Sequence, residues 1–291
     1  MLDQMLIQVI LNAFLLGGIY SLVSIGLTLI WGTMKIINFS HGSLMMVSMY
    51  LSFWLWSIVN LDPLISIFLV FPLMYGIGYL FQRFIVMPIL EAERHAQLLM
   101  TFGLMLVIKN TVLYVWRADY RIVLPFYADL FFRIGEIVFD APRVIAFTAA
   151  IAFSIGLHFF MTKTSIGMAI RAVAQDSEAA SAMGINVYRI YGITCGLGTA
   201  FAGVAGVLIS TYYPVHPDVG TAFMFMAFVI IVLGSMGNYM GAVVAGLIIG
   251  VTEGITAYLL SSSLRQAVAF VVFILTLLLK PEGLFRRVLR R

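Results

Sequence analysis

Four histidines (His41, His95, His158 and His216) and one cysteine (Cys195) are the side chains from which this sequence would build metal or nucleophilic chemistry. Their spacing argues against both. None of the histidines is followed at i+3 or i+4 by a Cys or a carboxylate, so zinc and di-iron spacings are missing. A lone cysteine excludes a disulfide framework and a Cys-cluster metal site. No nucleophile-elbow motif marks a Ser-His-Asp triad. The dipeptide Gly-Lys occurs nowhere, which removes the usual phosphate-cradling loop. Gly196-Leu-Gly198, followed by Gly203 and Gly206, lies inside an apolar run where small residues let helices approach. Gly237/Gly241 and Gly246/Gly250/Gly254 read the same way, as packing. No cofactor is expected on this chain.

Three features rise above that background. The polar run 37–43 (INFSHGS) sits between two apolar stretches. Asn38, Ser40, His41 and Gly42 there fit a broken or capped helix start, which either lines a solute path or forms a plain turn. Lys109 and Glu253 are ionisable residues within apolar runs, where such groups face protein or water, not lipid. Glu253 either lines a path or bonds a neighbouring helix, and Lys109 is placed to snorkel outward. Third, Glu178, Ala179, Ala180 and Gly184 put a carboxylate, two small residues and a stop on an Ala-rich stretch, a flat surface for a partner's groove.

The elements that must carry these residues are membrane helices. The 291 residues are 62% hydrophobic and 10% charged, with a mean hydropathy of +1.05; soluble domains run at roughly 45–50% and about 25%. A net charge of +4 is too small for nucleic acid to be a partner. Apolar runs near 6–30, 37–59, 63–82, 96–116, 143–161, 189–210, 222–234, 240–260 and 265–280 predict an all-α polytopic membrane protein. Eight or nine transmembrane helices are expected, since 222–260 reads as two helices or as one with a re-entrant piece. The first run lacks a basic flank and a cleavage site and reads as a mature helix. A single transmembrane domain over 1–291 carries two longer connections. One, at about 117–142, is expected to pair 121–126 with 131–139 around Ala128-Asp129 as a hairpin. The other, at about 162–188, is expected to hold one short helix. Eleven Lys and Arg in one set of connections against five in the other place the first set, the 162–188 loop and the C-terminus in the cytoplasm.

With these residues in view, the chain resembles the permease subunits of branched-chain amino acid ABC transporters over nearly its whole length. The likeness is carried by 18–42, 165–186, 196–208, 232–253 and the closing 277–285, in that order. The EAA-x-x-x-G stretch is similar to the cytoplasmic loop by which such permeases meet their ATPases. The resemblance implies an ABC importer permease, not an enzyme, in a bacterial plasma (inner) membrane. Its implied partners are a second homologous permease subunit, two cytoplasmic ATPase subunits that use the ATP, and an extracytoplasmic solute-binding protein. Leucine, isoleucine and valine are the implied solutes. Met226-Ala227-Phe228 stands where many members carry a Lys before Ala-Phe, so urea, short amides and other amino acids stay as alternatives. An ion-coupled secondary transporter is the rival from another class, with Lys109 and Glu253 as its available ionisable groups.

Overall fold

The computed structural model of the chain describes residues 2–285. In chain order its elements are α1 (Leu2–Met34), α2 (His41–Val59), α3 (Pro63–Phe81), α4 (Arg94–Trp116), β1 (Phe131–Ile134), β2 (Ile137–Asp140), α5 (Ala141–Lys163), α6 (Ser165–Gln175), α7 (Ser177–Ala182), α8 (Val187–Ser210), α9 (Val219–Leu233), α10 (Tyr239–Leu259) and α11 (Arg265–Leu279). Among the described residues seven helices are long and apolar enough to cross a membrane, α3 counting with its continuation to Ile89. α9 and α11 are apolar but have 15 residues each. That is about 22 Å at ~1.5 Å per residue, against a hydrocarbon core of about 30 Å. These nine helices coincide with the nine apolar runs. The 222–260 run is two helices: Ser235 and Gly237 take positive φ between them, and Asn238 Oδ1 accepts from Gly241 N to start α10.

α1 and α8 form the centre, each with 89% of its most apolar window buried. Glycines set their spacing. The Gly246/Gly250/Gly254 stripe of α10 lies directly on α1 at Ser21, Gly17 and Ala13, and Gly198 of α8 meets Gly26 of α1 backbone to backbone. A Cβ at any of these positions would overlap the neighbour, so the glycines serve packing, as their spacing suggests.

The start of α1 lies beside the β1–β2 hairpin, where Gln8 bonds both backbone groups of Val138. With alternating helix directions, Arg117, Arg121, Arg133, Arg143 and Arg265 lie at this hairpin end. Lys35, Arg83, Arg94, Lys163, Arg171, Arg189 and Lys280 lie at the opposite end. Arg286, Arg287, Arg290 and Arg291 fall outside the described residues.

Both long connections differ from expectation. The hairpin forms within 131–140, with Ile134 opposite Ile137. Gly135 at φ +64 supplies the left-handed residue that a two-residue loop needs. The 121–126 piece stays out of the ladder, because Pro125 has no N–H to give; Arg121 bridges to Val215 instead. The 162–188 stretch holds two helices, not one. Asp176 breaks it, and its carboxylate accepts from Glu178 N and Ala179 N at 3.0 Å to start α7. The stop at Gly184 holds: its φ is +84, and the bonds Gly184 N to Ser181 O and Ile185 N to Ala180 O make a Schellman turn.

Candidate functional site

A cavity of about 710 Å³ opens near the hairpin end between α1, α5, α9, α10 and the start of α11. Asn12, Leu16 and Tyr20 reach it from one face of α1, four residues apart. α9 contributes Ala222, Phe223 and Met226, and α10 contributes Glu253. Arg143, at the start of α5, and Arg265, the first residue of α11, complete the charged lining.

Glu253 sits fifteen residues into α10 and is 4% exposed. The Tyr20 hydroxyl donates to its Oε2 at 2.7 Å, so the carboxyl ties α10 to α1 while also facing the cavity. The two readings left open for this residue are therefore compatible. Asn12 Oδ1 is buried and has no hydrogen-bond partner among the described residues. Arg143 Nε lies 3.2 Å from Asp140 Oδ2, and its guanidinium stands 5.9 Å from the centre of the Tyr212 ring.

The 37–43 stretch is elsewhere. It turns back from the end of α1 into the interior, and the Thr101 hydroxyl of α4 donates to Ile37 O. His41 Nε2 lies 3.1 Å from Val23 O. Val23 is eleven residues before the end of α1, or ~16 Å along its axis. A carbonyl only accepts, so the Nε2 proton is fixed there and Nδ1 is left as an acceptor. Asn38, Ser40, His41 and Gly42 are all buried, so this is no surface turn, and none of them lines the cavity. Ser40 does not cap α2; Asn38 Oδ1 instead accepts from Ser40 N and Oγ at 3.1 and 2.5 Å. Gly42 packs on Gly220 at the start of α9, backbone on backbone. Phe223, one turn further along α9, meets the Tyr20 ring edge-on at 5.7 Å between centroids. The polar stretch thus reaches the cavity wall through one helix turn.

Lys109 has a charged partner. It pairs with Asp218 just before α9. The connection 211–218 carries irregular backbone here, tolerated because it is packed on protein, with Thr211 and Val215 buried. In it, burial holds the His216 imidazole below its usual range, while Asp218 pulls the other way.

At the opposite end, Glu178, Ala179 and Gly184 are exposed. Ala180 is 5% exposed, turned onto the core, so the flat Ala-Ala surface expected there does not form. Met183, 83% exposed, is the apolar group this turn presents. Neither Met183 nor Asn12, Tyr20, Arg143 and Arg265 stood out in the sequence, although the four-residue spacing of Asn12, Leu16 and Tyr20 was a usable signal. No group of three or more metal-ligating side chains occurs among the described residues.

The comparisons with known proteins agree with this architecture. Two relatives are named high-affinity branched-chain amino acid transport system permease proteins: BraD of Pseudomonas aeruginosa and LivH of Escherichia coli K12. Each is 29% identical over 97% of this chain and 96% of its own length. A probable branched-chain amino acid transport permease protein, LivH of Methanocaldococcus jannaschii, is 25% identical over 94% of the chain and 90% of its own length. No solved structure matches significantly. The family described as branched-chain amino acid transport system / permease component matches residues 9–277. Those residues take in the cavity, the buried polar stretch and the α6–α7 turn, so this multi-pass membrane chain belongs to that family of transport permeases and is not an enzyme.

Proposed function

We propose that the chain is the permease subunit of a binding-protein-dependent ABC importer that moves leucine, isoleucine and valine across the bacterial plasma membrane. The reading is carried by the exposed α6–α7 turn lying at the end of the bundle opposite the cavity. A solute path opening at one end and a protein-docking turn at the other is the arrangement that external delivery and internal ATP hydrolysis require. A permease component without a phosphate-binding loop takes its energy from elsewhere. ATP binding on two cytoplasmic ATPases shifts the permease between its states through differential affinity. A sister permease completes the path, and the solute-binding protein delivers to the hairpin end. The chain itself binds no cofactor. Glu178, Ala179, Met183 and Gly184 form the ATPase contact, with Ala180 as its buried support. The path runs through the cavity past Glu253 towards the buried Asn38–Gly42 stretch, which moves when α2 and α9 separate.

Co-expression with the ATPases, sister permease and binding protein tests this. The complete assembly takes up labelled leucine and not urea. Glu178→Arg and Met183→Glu lower ATPase co-purification and uptake by roughly tenfold, the loss expected when a few contact residues dominate an interface, with membrane insertion unchanged. Normal recruitment in both variants rules out the docking assignment.

A further inference from the structure

We infer that the cavity holds an α-amino acid by its two charged groups, Glu253 and Asn12 receiving the ammonium and Arg265 and Arg143 facing the carboxylate; this rests on the transport reading above. The acceptor side is unusual in composition. Tyr20 commits its proton to Glu253 Oε2, and Oε1 takes no hydrogen bond among the described residues. Asn12 Oδ1 is buried without a donor. Together with the Tyr20 lone pairs, these are oxygens that need N–H or O–H groups. An ammonium brings three donors and no acceptor, and so matches them. A guanidinium offers donors only, in a planar fork suited to a carboxylate. Arg143 has Nε held by Asp140, and Arg265 lines the same cavity as Glu253.

Both signs of charge in one cavity of about 710 Å³ select a small solute that carries both. Urea and simple amides carry neither charge; their N–H and C=O groups can hydrogen-bond here but cannot neutralise Glu253 or the two arginines. Leu16, Ala222 and Met226 supply an apolar wall for an aliphatic side chain. Because Tyr20 already shares the Glu253 carboxyl, the ammonium is held loosely, as a passing solute must be.

The test uses the full chain in lipid nanodiscs and equilibrium binding of three probes. Leucine has both charges, 4-methylpentanoate lacks the ammonium, and leucinamide lacks the carboxylate. The wild-type chain prefers leucine to 4-methylpentanoate by roughly tenfold or more, as for a site whose buried acceptors go unpaired without the amine. Glu253→Gln and Asn12→Leu each shrink that ratio to about two- to threefold, while Arg265→Gln weakens leucine and spares leucinamide. Should Glu253→Gln fail to insert, Asn12→Leu carries the test alone. An unchanged ratio in the variants, or no preference in the wild type, overturns the assignment. Leucine uptake by the complete assembly separates the two readings. Uptake with unchanged ratios sinks the cavity assignment alone, whereas ratios that shift without uptake uphold it and sink the transport reading.

Discussion

Lys109 lies on α4 seven residues before Trp116. It pairs with Asp218, with 29% and 65% of the two side chains exposed. A carboxylate that open is well screened, so a double-mutant cycle of Lys109→Ala and Asp218→Ala in thermal unfolding gives a coupling of about 0.5–1 kcal/mol that shrinks in high salt. A coupling that ignores salt contradicts the pairing. Glu253 was legible because a carboxylate in an apolar run must have a reason to be there. Tyr20 was not, since a pair separated by 233 positions depends on how α10 registers against α1. Ala180 shows a different limit. In a helix as short as α7, nothing in the residue pattern tells which alanine turns inward.

At the scale of elements, the contact between Gly42 and Gly220 decides how two helices meet. Each would drive a Cβ into the other's backbone. Gly42→Ala is therefore expected to cost about 1–3 kcal/mol as overpacking, read as a lower melting temperature in detergent. Gly76, with nothing within 4 Å of its would-be Cβ, is the control; Gly76→Ala leaves the melting temperature level or slightly raised. Equal behaviour of the two contradicts the close approach. The apolar helices could be read from run length, except that 222–260 left open one helix or two until the turn at Ser235 and Gly237 divided it. The return of 35–40 into the interior could not, because a polar run between apolar stretches looks alike at a surface and against a partner. Burial of His41 on Val23 is what distinguishes them.

For the whole molecule, the opposite placement of the two sets of basic residues turns orientation into a labelling experiment. Asp129 and Ser181 are exposed at the hairpin end and the opposite end, and the native Cys195 is buried. Asp129→Cys is expected to react with an impermeant thiol reagent in intact spheroplasts, and Ser181→Cys only after the membrane is opened. The reverse pattern inverts the topology. The excess of positive charge that predicts this orientation is legible in any membrane sequence. The cavity is not, because its walls come from five separate helices.

α1 precedes the other described helices and is, with α8, the most enclosed of the long ones, and that has a consequence for biogenesis. α1 leaves the ribosome some 200 residues before α10, whose glycine stripe covers it. At roughly 5–20 residues per second, it waits for about 10–40 s without that cover. Its hydroxyls are prepared for the delay. Ser21, Ser24, Thr28 and Thr33 each donate to the carbonyl four residues back, on Gly17, Tyr20, Ser24 and Leu29. Those bonds lie within the helix itself and need no later neighbour, so α1 can rest in lipid with these groups satisfied. Tyr20 is different, because its hydroxyl gains its carboxyl partner only when Glu253 has been synthesised. The bond between them marks the moment at which the nascent chain closes on α1.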